Sequence, residues 1–241
     1  MKILVVAAHP DDEIIGMGGT LKKLSKNNSI SVLFLADGIT ARKTVGHTNS
    51  SNYESSKTEK QGMLQEIKQR KIDAKKALKI VGISKMNFLD YPDNELDLVP
   101  FLKIVKNIET EIQKTKCDVM FTHHHNDLNI DHRIVYDATI TAARPLPNSN
   151  ISALYSFESI SSSDWRKPYQ FNPQLFVDIS KELVVKVKSL QAYQNEIRKF
   201  PHPRSKEMIE ITAKRWGSLY GFKAAEAFEV IYQRITSLVN F

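Results

Sequence analysis

The sequence predicts an α/β fold built around a mostly parallel β-sheet. Two apolar runs, 3–8 and 31–36, have the composition of strands that are buried on both faces. A polar turn and a helical stretch over 13–25 lie between them, which is the strand–helix–strand order of a βαβ unit. With 241 residues, 41% of them hydrophobic, the chain is long and apolar enough for one α/β domain.

The alternation of strands and helices continues beyond a polar segment over 37–60. That segment lacks an apolar period, and its length is typical of a functional loop or lid. Helical spacing returns over 61–81 and ends at Gly82. The segments that follow are a strand over 86–89, a helix over 98–114, a strand over 118–122 and a helix over 131–143.

The last hundred residues predict strands over 153–155, 175–178 and 228–232, with helices over 181–198 and 205–220. No linker, internal repeat or low-complexity tract separates them from the preceding part. We therefore expect one domain over 1–241, with a core over about 1–145 and a C-terminal elaboration over about 146–241.

Charge and cysteine content narrow the functional classes. The formal charge of +7 fits an anionic partner or an ordinary solvated basic surface. The basic residues are spread along the chain without interleaved aromatics, which argues against nucleic acid as a partner. The single cysteine, Cys117, excludes an intramolecular disulfide. We expect a cytoplasmic protein without a signal peptide or a transmembrane segment.

Two polar clusters occupy equivalent places in the predicted fold. Residues 9–13 directly follow the first strand and open a helix, and residues 123–132 directly follow the fourth strand and open another. The carboxyl ends of parallel strands share one edge of the sheet, where ligand sites lie. Both clusters are therefore expected on that edge, and the strand order decides whether they touch.

The residue types in these clusters are those of a metal site. Imidazole and carboxylate are zinc ligands, and a catalytic zinc has three protein ligands and one open position. His9, Asp12 and His132 would supply them, and Asp11 would lie close enough to accept a proton. The same ligands suit non-haem iron, so Fe²⁺ remains open beside Zn²⁺. Simpler interpretations are a helix N-cap for the aspartates and a solvated loop for the histidines.

Residues 8–13 (AHPDDE) with Gly16 and 18–20 (GGT) resemble the opening motif of the PIG-L/LmbE-like family of zinc-dependent N-deacetylases. Residues 129–132 (NIDH) are similar to the second family motif, H-x-x-H or H-P-D-H. Weaker similarities are Arg70, Asp93 with Asn94, and the AAEAF stretch over 224–228. The resemblance extends over roughly 1–232.

The resemblance implies a Rossmann-like three-layer sandwich and an enzyme that removes an acetyl group from the nitrogen of an amino sugar or its glycoconjugate. It implies that His9, Asp12 and His132 hold the zinc and that Asp11 is the general base. Arg70 is expected at the substrate. The implied partner is a small-molecule or carrier-linked amino sugar, and family members often form homo-oligomers.

The chain departs from the family at Asn129, where a histidine is usual. An asparagine donates hydrogen bonds but does not titrate near neutral pH, so it would contact the substrate without protonating the leaving amine. Asp11 would then return its own proton, or a histidine of 123–125 would replace the missing one, with His124 preferred. Asp127 would orient one of these groups, and Asp131 is expected behind the metal ligands. A sugar-binding protein with a poorly active site is the alternative function.

Overall fold

The computed structural model describes residues 1–42, 57–168 and 170–235. The strands are β1 (Lys2–Ala7), β2 (Ser29–Ala36), β3 (Lys85–Tyr91), β4 (Val119–His123), β5 (Ala153–Phe157), β6 (Leu175–Asp178) and β7 (Ala225–Gln233). The α-helices are α1 (Asp12–Leu24), α2 (Lys57–Val81), α3 (Phe101–Thr115), α4 (Ile130–Ala142), α5 (Leu183–Leu190) and α6 (Lys206–Leu219).

The strands form one seven-stranded sheet in the order β3-β2-β1-β4-β5-β7-β6. β1 to β5 pair in parallel, whereas β7 runs antiparallel to both of its neighbours. Chain order reverses between β1 and β4, because β2 and β3 lie on one side of β1 and β4 and β5 lie on the other. That reversal is the topological switch point at which α/β sheets open a crevice for ligands.

Helices cover both faces of the sheet. Ile3, Val5 and Ala7 of β1 pack into a core with α1, α2 and α5, and the alternate residues Leu4 and Val6 pack into a second core with α3 and α4. Such burial on both faces explains the continuous apolar sequence of the strand. The predicted three-layer α/β sandwich is confirmed. No helix in the described part of the chain is long and apolar enough to span a membrane.

Helix boundaries near the polar segment 37–60 and before α3 differ from the sequence prediction. Within the polar segment 37–60, residues Thr40–Arg42 form a 3₁₀ turn and α2 already begins at Lys57. The rest of that predicted loop, 43–56, lies outside the described residues. The helix expected from 98 begins at Phe101, because Pro100 follows a 3₁₀ turn over Leu96–Leu98 and caps the helix.

The helix predicted over 181–198 is wrong in its length, because α5 ends at Leu190. The chain then continues as turns. These turns bury Tyr193, whose hydroxyl donates to Glu13 Oε1 at 2.7 Å. They also bury Glu196 against two arginines. Both contacts are made by residues that the helical spacing alone had assigned to one continuous helix.

The glycines of α1 permit close packing. A Cβ atom at Gly16 would lie 2.4 Å from Phe157 Cδ2, and one at Gly19 would lie 2.8 Å from Ile179 Cδ1. Both distances are shorter than a carbon–carbon contact allows. The first turns of α1, which directly follow residues 9–11 of the polar cluster, are thereby held close to β5 and to the segment before α5.

Glu158 gives the fold a pH-dependent stability. Burial raises its pKa to about 7, although Trp216 Nε1 donates to Oε1 at 2.6 Å. Because the folded protein holds this proton more tightly than the unfolded chain, its contribution to the free energy of unfolding falls between about pH 4.5 and about pH 7. Glu158→Gln removes this titration. Its free energy of unfolding should therefore rise relative to that of wild type by up to about 3 kcal/mol between these two pH values.

Urea denaturation at about pH 5 and about pH 8 measures this change. Glu207→Gln is the matched control, since Glu207 is exposed in the first turn of α6. An equal difference between Glu158→Gln and wild type at both pH values would contradict the assignment.

Candidate metal centre

The two polar clusters meet at the switch point of the sheet. Ile3, Leu4 and Val5 of β1 pair directly with Val119, Met120 and Phe121 of β4. The segments that leave the carboxyl ends of these strands therefore start side by side. The amide of Ala8 donates to His123 Nε2 at 2.8 Å, which joins the two segments at their first residues.

His9, Asp12 and His132 form a group that suits one metal ion. Their candidate ligand atoms all lie within 4.8 Å of one another, and all three residues are buried. Asp12 Oδ2 is 3.3 Å from His9 Nδ1 and 3.3 Å from His132 Nε2. Ligands about 2.0–2.2 Å from a tetrahedral zinc ion are about 3.4 Å apart, so these separations fit the ion.

Carboxylates behind the two histidines orient their rings. His9 Nε2 lies 2.9 Å from Asp93 Oδ1 and 3.0 Å from Asp131 Oδ2. His132 Nδ1 lies 3.2 Å from Asp127 Oδ2. A carboxylate at one ring nitrogen favours the proton there and leaves the lone pair of the other nitrogen for a metal. His9 thus presents Nδ1 and His132 presents Nε2 towards Asp12.

The candidate ligand atoms of a second combination, His9 with Asp93 and Asp131, also lie within 4.8 Å of one another. Asp131, however, already accepts the amides of Asn94 at 2.7 Å and Leu96 at 3.1 Å, one on each oxygen. In contrast, Asp12 Oδ1 is buried and has no hydrogen-bond partner among the described residues. A buried carboxylate oxygen without a donor is costly unless a cation satisfies it. The donor set around Asp12 therefore fits a metal better.

The pKa values of Asp12 and His132 also indicate that this group of carboxylates attracts positive charge. Burial alone would raise the pKa of Asp12, but His132 and His123 outweigh it and hold that pKa well below its usual range. Burial alone would lower the pKa of His132, but Asp12 and Asp127 raise it to about 9. A divalent cation in place of that proton would meet the same carboxylates.

Asp11 lies beside this group in a strained conformation. Its φ is 122°, a region that residues other than glycine rarely adopt. Its amide donates to Glu13 Oε2 at 3.0 Å, and its carbonyl accepts from Ile15 at 2.9 Å. These bonds hold the turn and keep the side chain inside the site. Glu13 is buried and accepts a hydrogen bond from the Tyr193 hydroxyl through its other oxygen.

Two guanidinium groups hold one oxygen of the Asp11 carboxylate. Arg70 Nη2 and Arg204 Nη1 each donate to Oδ2 at 3.1 Å. Both arginines also contact Glu196, so two positive and two negative groups share the cluster. Oδ1 of Asp11 is buried without a hydrogen-bond donor in the part of the chain that the structure describes. Burial raises the pKa of Asp11, and the two arginines oppose that rise.

The structure places the remaining predicted residues as follows. Arg70, predicted at the substrate, is only 5% exposed and contacts Asp11 and Glu196. Asn129 caps α4, because its Oδ1 accepts the amide of Asp131 at 2.8 Å. His124 belongs to a separate group with Glu229, 2.7 Å away.

Of the three consecutive histidines, His123 is the one that contacts the ligand group. Its ring stacks on that of His132 with the centroids 3.9 Å apart. The sequence pattern favours His124, gives the polar turn 202–205 before α6 a place at a substrate pocket or at an ordinary helix start, and assigns no role to Glu196. Composition in the turn before α6, His202-Pro203-Arg204, was the only available signal for Arg204. Glu196 gave none, because it resembled any polar residue of a helix.

Comparison with known proteins identifies the class. The profile of the PIG-L family, described as GlcNAc-PI de-N-acetylase, matches residues 4–143. A diacetylchitobiose deacetylase of Thermococcus kodakarensis is 28% identical to this chain, over 95% of the chain and 83% of the relative. The chain therefore belongs to the PIG-L family of deacetylases, and the predicted family and enzyme class are confirmed.

Solved structures share the fold. An N,N′-diacetylchitobiose deacetylase of Pyrococcus horikoshii, in complex with an inhibitor, superposes with a TM-score of 0.72 at 22% identity, covering 95% of this chain and 83% of that one. A 4-carboxy-2-hydroxymuconate hydratase of Pseudomonas putida superposes with a TM-score of 0.73 at 16% identity, covering 98% and 99%. Because the same architecture occurs in a hydratase, the activity has to be argued from the site residues.

Metal affinity should depend on the carboxylate behind His132. Asp127→Asn keeps the size of the side chain but removes the charge that fixes the proton on His132 Nδ1. We expect zinc affinity to fall about 10- to 100-fold, measured by competition with a chromophoric chelator. Asp97→Asn is the control, because Asp97 is exposed and lies in the 3₁₀ turn before α3. Equal affinity in the two variants would rule out this role for Asp127.

Proposed function

We propose that this chain is a zinc-dependent deacetylase that hydrolyses the N-acetyl group of an amino sugar or of a conjugate that carries one. The observation that carries the proposal is the pairing of a His9/Asp12/His132 group with a neighbouring carboxylate, Asp11, that keeps one oxygen free. Relatives named as diacetylchitobiose deacetylases support the sugar substrate.

His9, Asp12 and His132 would hold the cation, with Zn²⁺ favoured by two imidazoles and one carboxylate and Fe²⁺ compatible with the same set. When bound, such a cation supplies Lewis acidity to the amide carbonyl and to water. The protein contributes the fixed orientation of the two rings. Asp93 and Asp131 hold His9, and Asp127 holds His132.

Asp11 has the geometry of a general base. Both guanidinium groups bind Oδ2, so the side chain is anchored by one oxygen while Oδ1 is left to accept a proton from the attacking water. Hydrolysis adds this water to the amide carbon and breaks the bond to nitrogen. The nitrogen then needs a proton before it leaves as an amine.

We infer that Asp11 also returns the proton to the leaving nitrogen. The family resemblance implies a titratable histidine where this chain has Asn129, and the Oδ1 of Asn129 is engaged in capping α4. His123 is held by the amide of Ala8 at Nε2, and His124 is engaged with Glu229. The amide nitrogen of Asn129 remains a candidate hydrogen-bond donor to the substrate.

A sugar-binding protein with little turnover is the second candidate, and the replacement at Asn129 is the observation that favours it. Both candidates predict zinc and sugar binding, and they differ only in the release of acetate. We expect a cytoplasmic enzyme acting on a small-molecule or carrier-linked sugar. A homo-oligomer is also expected from the family resemblance.

The decisive experiment measures acetate and free amine released from N,N′-diacetylchitobiose and N-acetylglucosamine by zinc-loaded protein. Wild type should release both products. Asp11→Asn should lower kcat by about 100- to 10,000-fold, the range of general acid–base catalysis, with zinc stoichiometry unchanged. Full activity in Asp11→Asn would remove the proposed base. Zinc and sugar binding without any release from wild type would favour the binding-protein candidate.

The Arg204 side chain is 25% exposed and donates to Asp11, Glu196 and Ser161. Because of the bond to Asp11, Arg204 should act on the reaction through that residue. Arg204→Met removes one charged hydrogen bond to the base and should lower kcat about 10- to 100-fold. KM should change little, and Arg204→Lys should recover part of kcat. Arg198→Met is the control, since Arg198 is exposed and donates only to backbone carbonyls in the described contacts. A change confined to KM would instead make Arg204 a substrate contact.

A further inference from the structure

A second group of histidines and a carboxylate lies outside the centre described above. His124 and His125 directly follow β4, and Glu229 lies on β7 opposite Ser156 of β5. The candidate ligand atoms of His124, His125 and Glu229 all lie within 4.8 Å of one another. This group shares no residue with His9, Asp12 and His132.

Glu229 is fixed from several directions. Its Oε2 lies 2.7 Å from His124 Nδ1 and accepts from Ser156 Oγ at 2.8 Å. Its Oε1 accepts the amide of Asn172 at 3.0 Å. Burial would raise the pKa of Glu229, but His124 and these donors hold it below its usual range. The carboxylate is therefore negative and immobile at neutral pH.

The contact with Glu229 involves only one of the two ring nitrogens of His124. The carboxylate at Nδ1 favours the proton on that nitrogen, so Nε2 carries a lone pair. Nε2 is buried, and the described residues offer it no hydrogen-bond donor. A purely structural His–Glu pair would explain the contact at Nδ1 but not a buried, unpartnered Nε2.

His125 supplies a further imidazole beside the ring of His124. Its ring centroid lies 4.4 Å from that of His124, and the residue is exposed to solvent. A carboxylate that orients one imidazole beside a second, accessible imidazole is the pattern of metal sites with an oriented histidine ligand.

We propose that His124 and His125, with Glu229 as a third ligand or as the orienting carboxylate, bind a second divalent transition-metal ion of the Zn²⁺ class. Two imidazoles favour zinc and its transition-metal neighbours over Mg²⁺ or Ca²⁺, which prefer all-oxygen sites. Such an ion would join the end of β4 to β7. It would thereby connect the family-matched region 4–143 to the C-terminal part of the sheet.

Zinc stoichiometry tests the proposal without relying on catalysis. Apo protein is equilibrated with Zn²⁺ at a buffered free concentration, and bound metal is measured by inductively coupled plasma mass spectrometry. Wild type should bind two ions per chain. His125→Ala and Asp12→Asn should each bind one, and the double variant should bind none. Glu229→Gln should weaken the second ion about 10- to 100-fold, and Glu207→Gln, an exposed control, should leave both.

The ligand variants separate this proposal from the proposed function. His125 is exposed, so His125→Ala should fold, which thermal melting of the apo proteins checks. One ion in wild type, lost in Asp12→Asn and retained in His125→Ala, would overturn the second site. Two ions that both persist in His125→Ala and Glu229→Gln would overturn it equally. Absence of deacetylase activity in a protein with two bound ions would count only against the proposed function.

Discussion

β1 and β4 are parallel, hydrogen-bonded neighbours, so the segments leaving their carboxyl ends begin a few ångströms apart. Every feature of the candidate centre depends on this pairing. It brings His9 and Asp12 from one segment against His132 from the other, although more than a hundred residues separate them. Because both strands are buried on both faces, a change of register would move apolar side chains out of two cores at once.

The polar interior next to this pairing is arranged as a set of mutually satisfied charges. Buried ions are tolerated only when they are paired and hydrogen-bonded. Asp11 and Glu196 face Arg70 and Arg204 in that way, and hydrogen bonds donated to Glu13 and accepted from Ile15 hold Asp11 at its positive φ. Oδ1 of Asp11 and Oδ1 of Asp12 are among the buried atoms without a hydrogen-bond partner in the described residues, and they belong to the residues to which the proposed chemistry assigns a proton and a cation.

The fold was predictable because apolar runs, helical spacing and βαβ order are local features of the sequence. The pairing of β1 with β4 was not, since it depends on strand order. The motif residues His9, Asp12 and His132 were recognisable from composition and spacing, and the structure brings them together. Glu196 was not recognised, because it lies in turns that end α5 early and that resemble a helix in sequence. The contact of Arg204 with Asp11 was not predictable either, because the polar turn 202–205 fits a pocket lining and an ordinary helix start equally well. His124 was preferred over His123 because sequence alone does not show which way consecutive side chains point.

A crystal structure of the zinc-loaded protein would test the central claim most directly. The account predicts an ion bonded to His9 Nδ1, to an oxygen of Asp12 and to His132 Nε2, with a water at its open position within hydrogen-bond distance of Asp11 Oδ1. An ion held instead by His9, Asp93 and Asp131, or a bound water that faces away from Asp11, would contradict it.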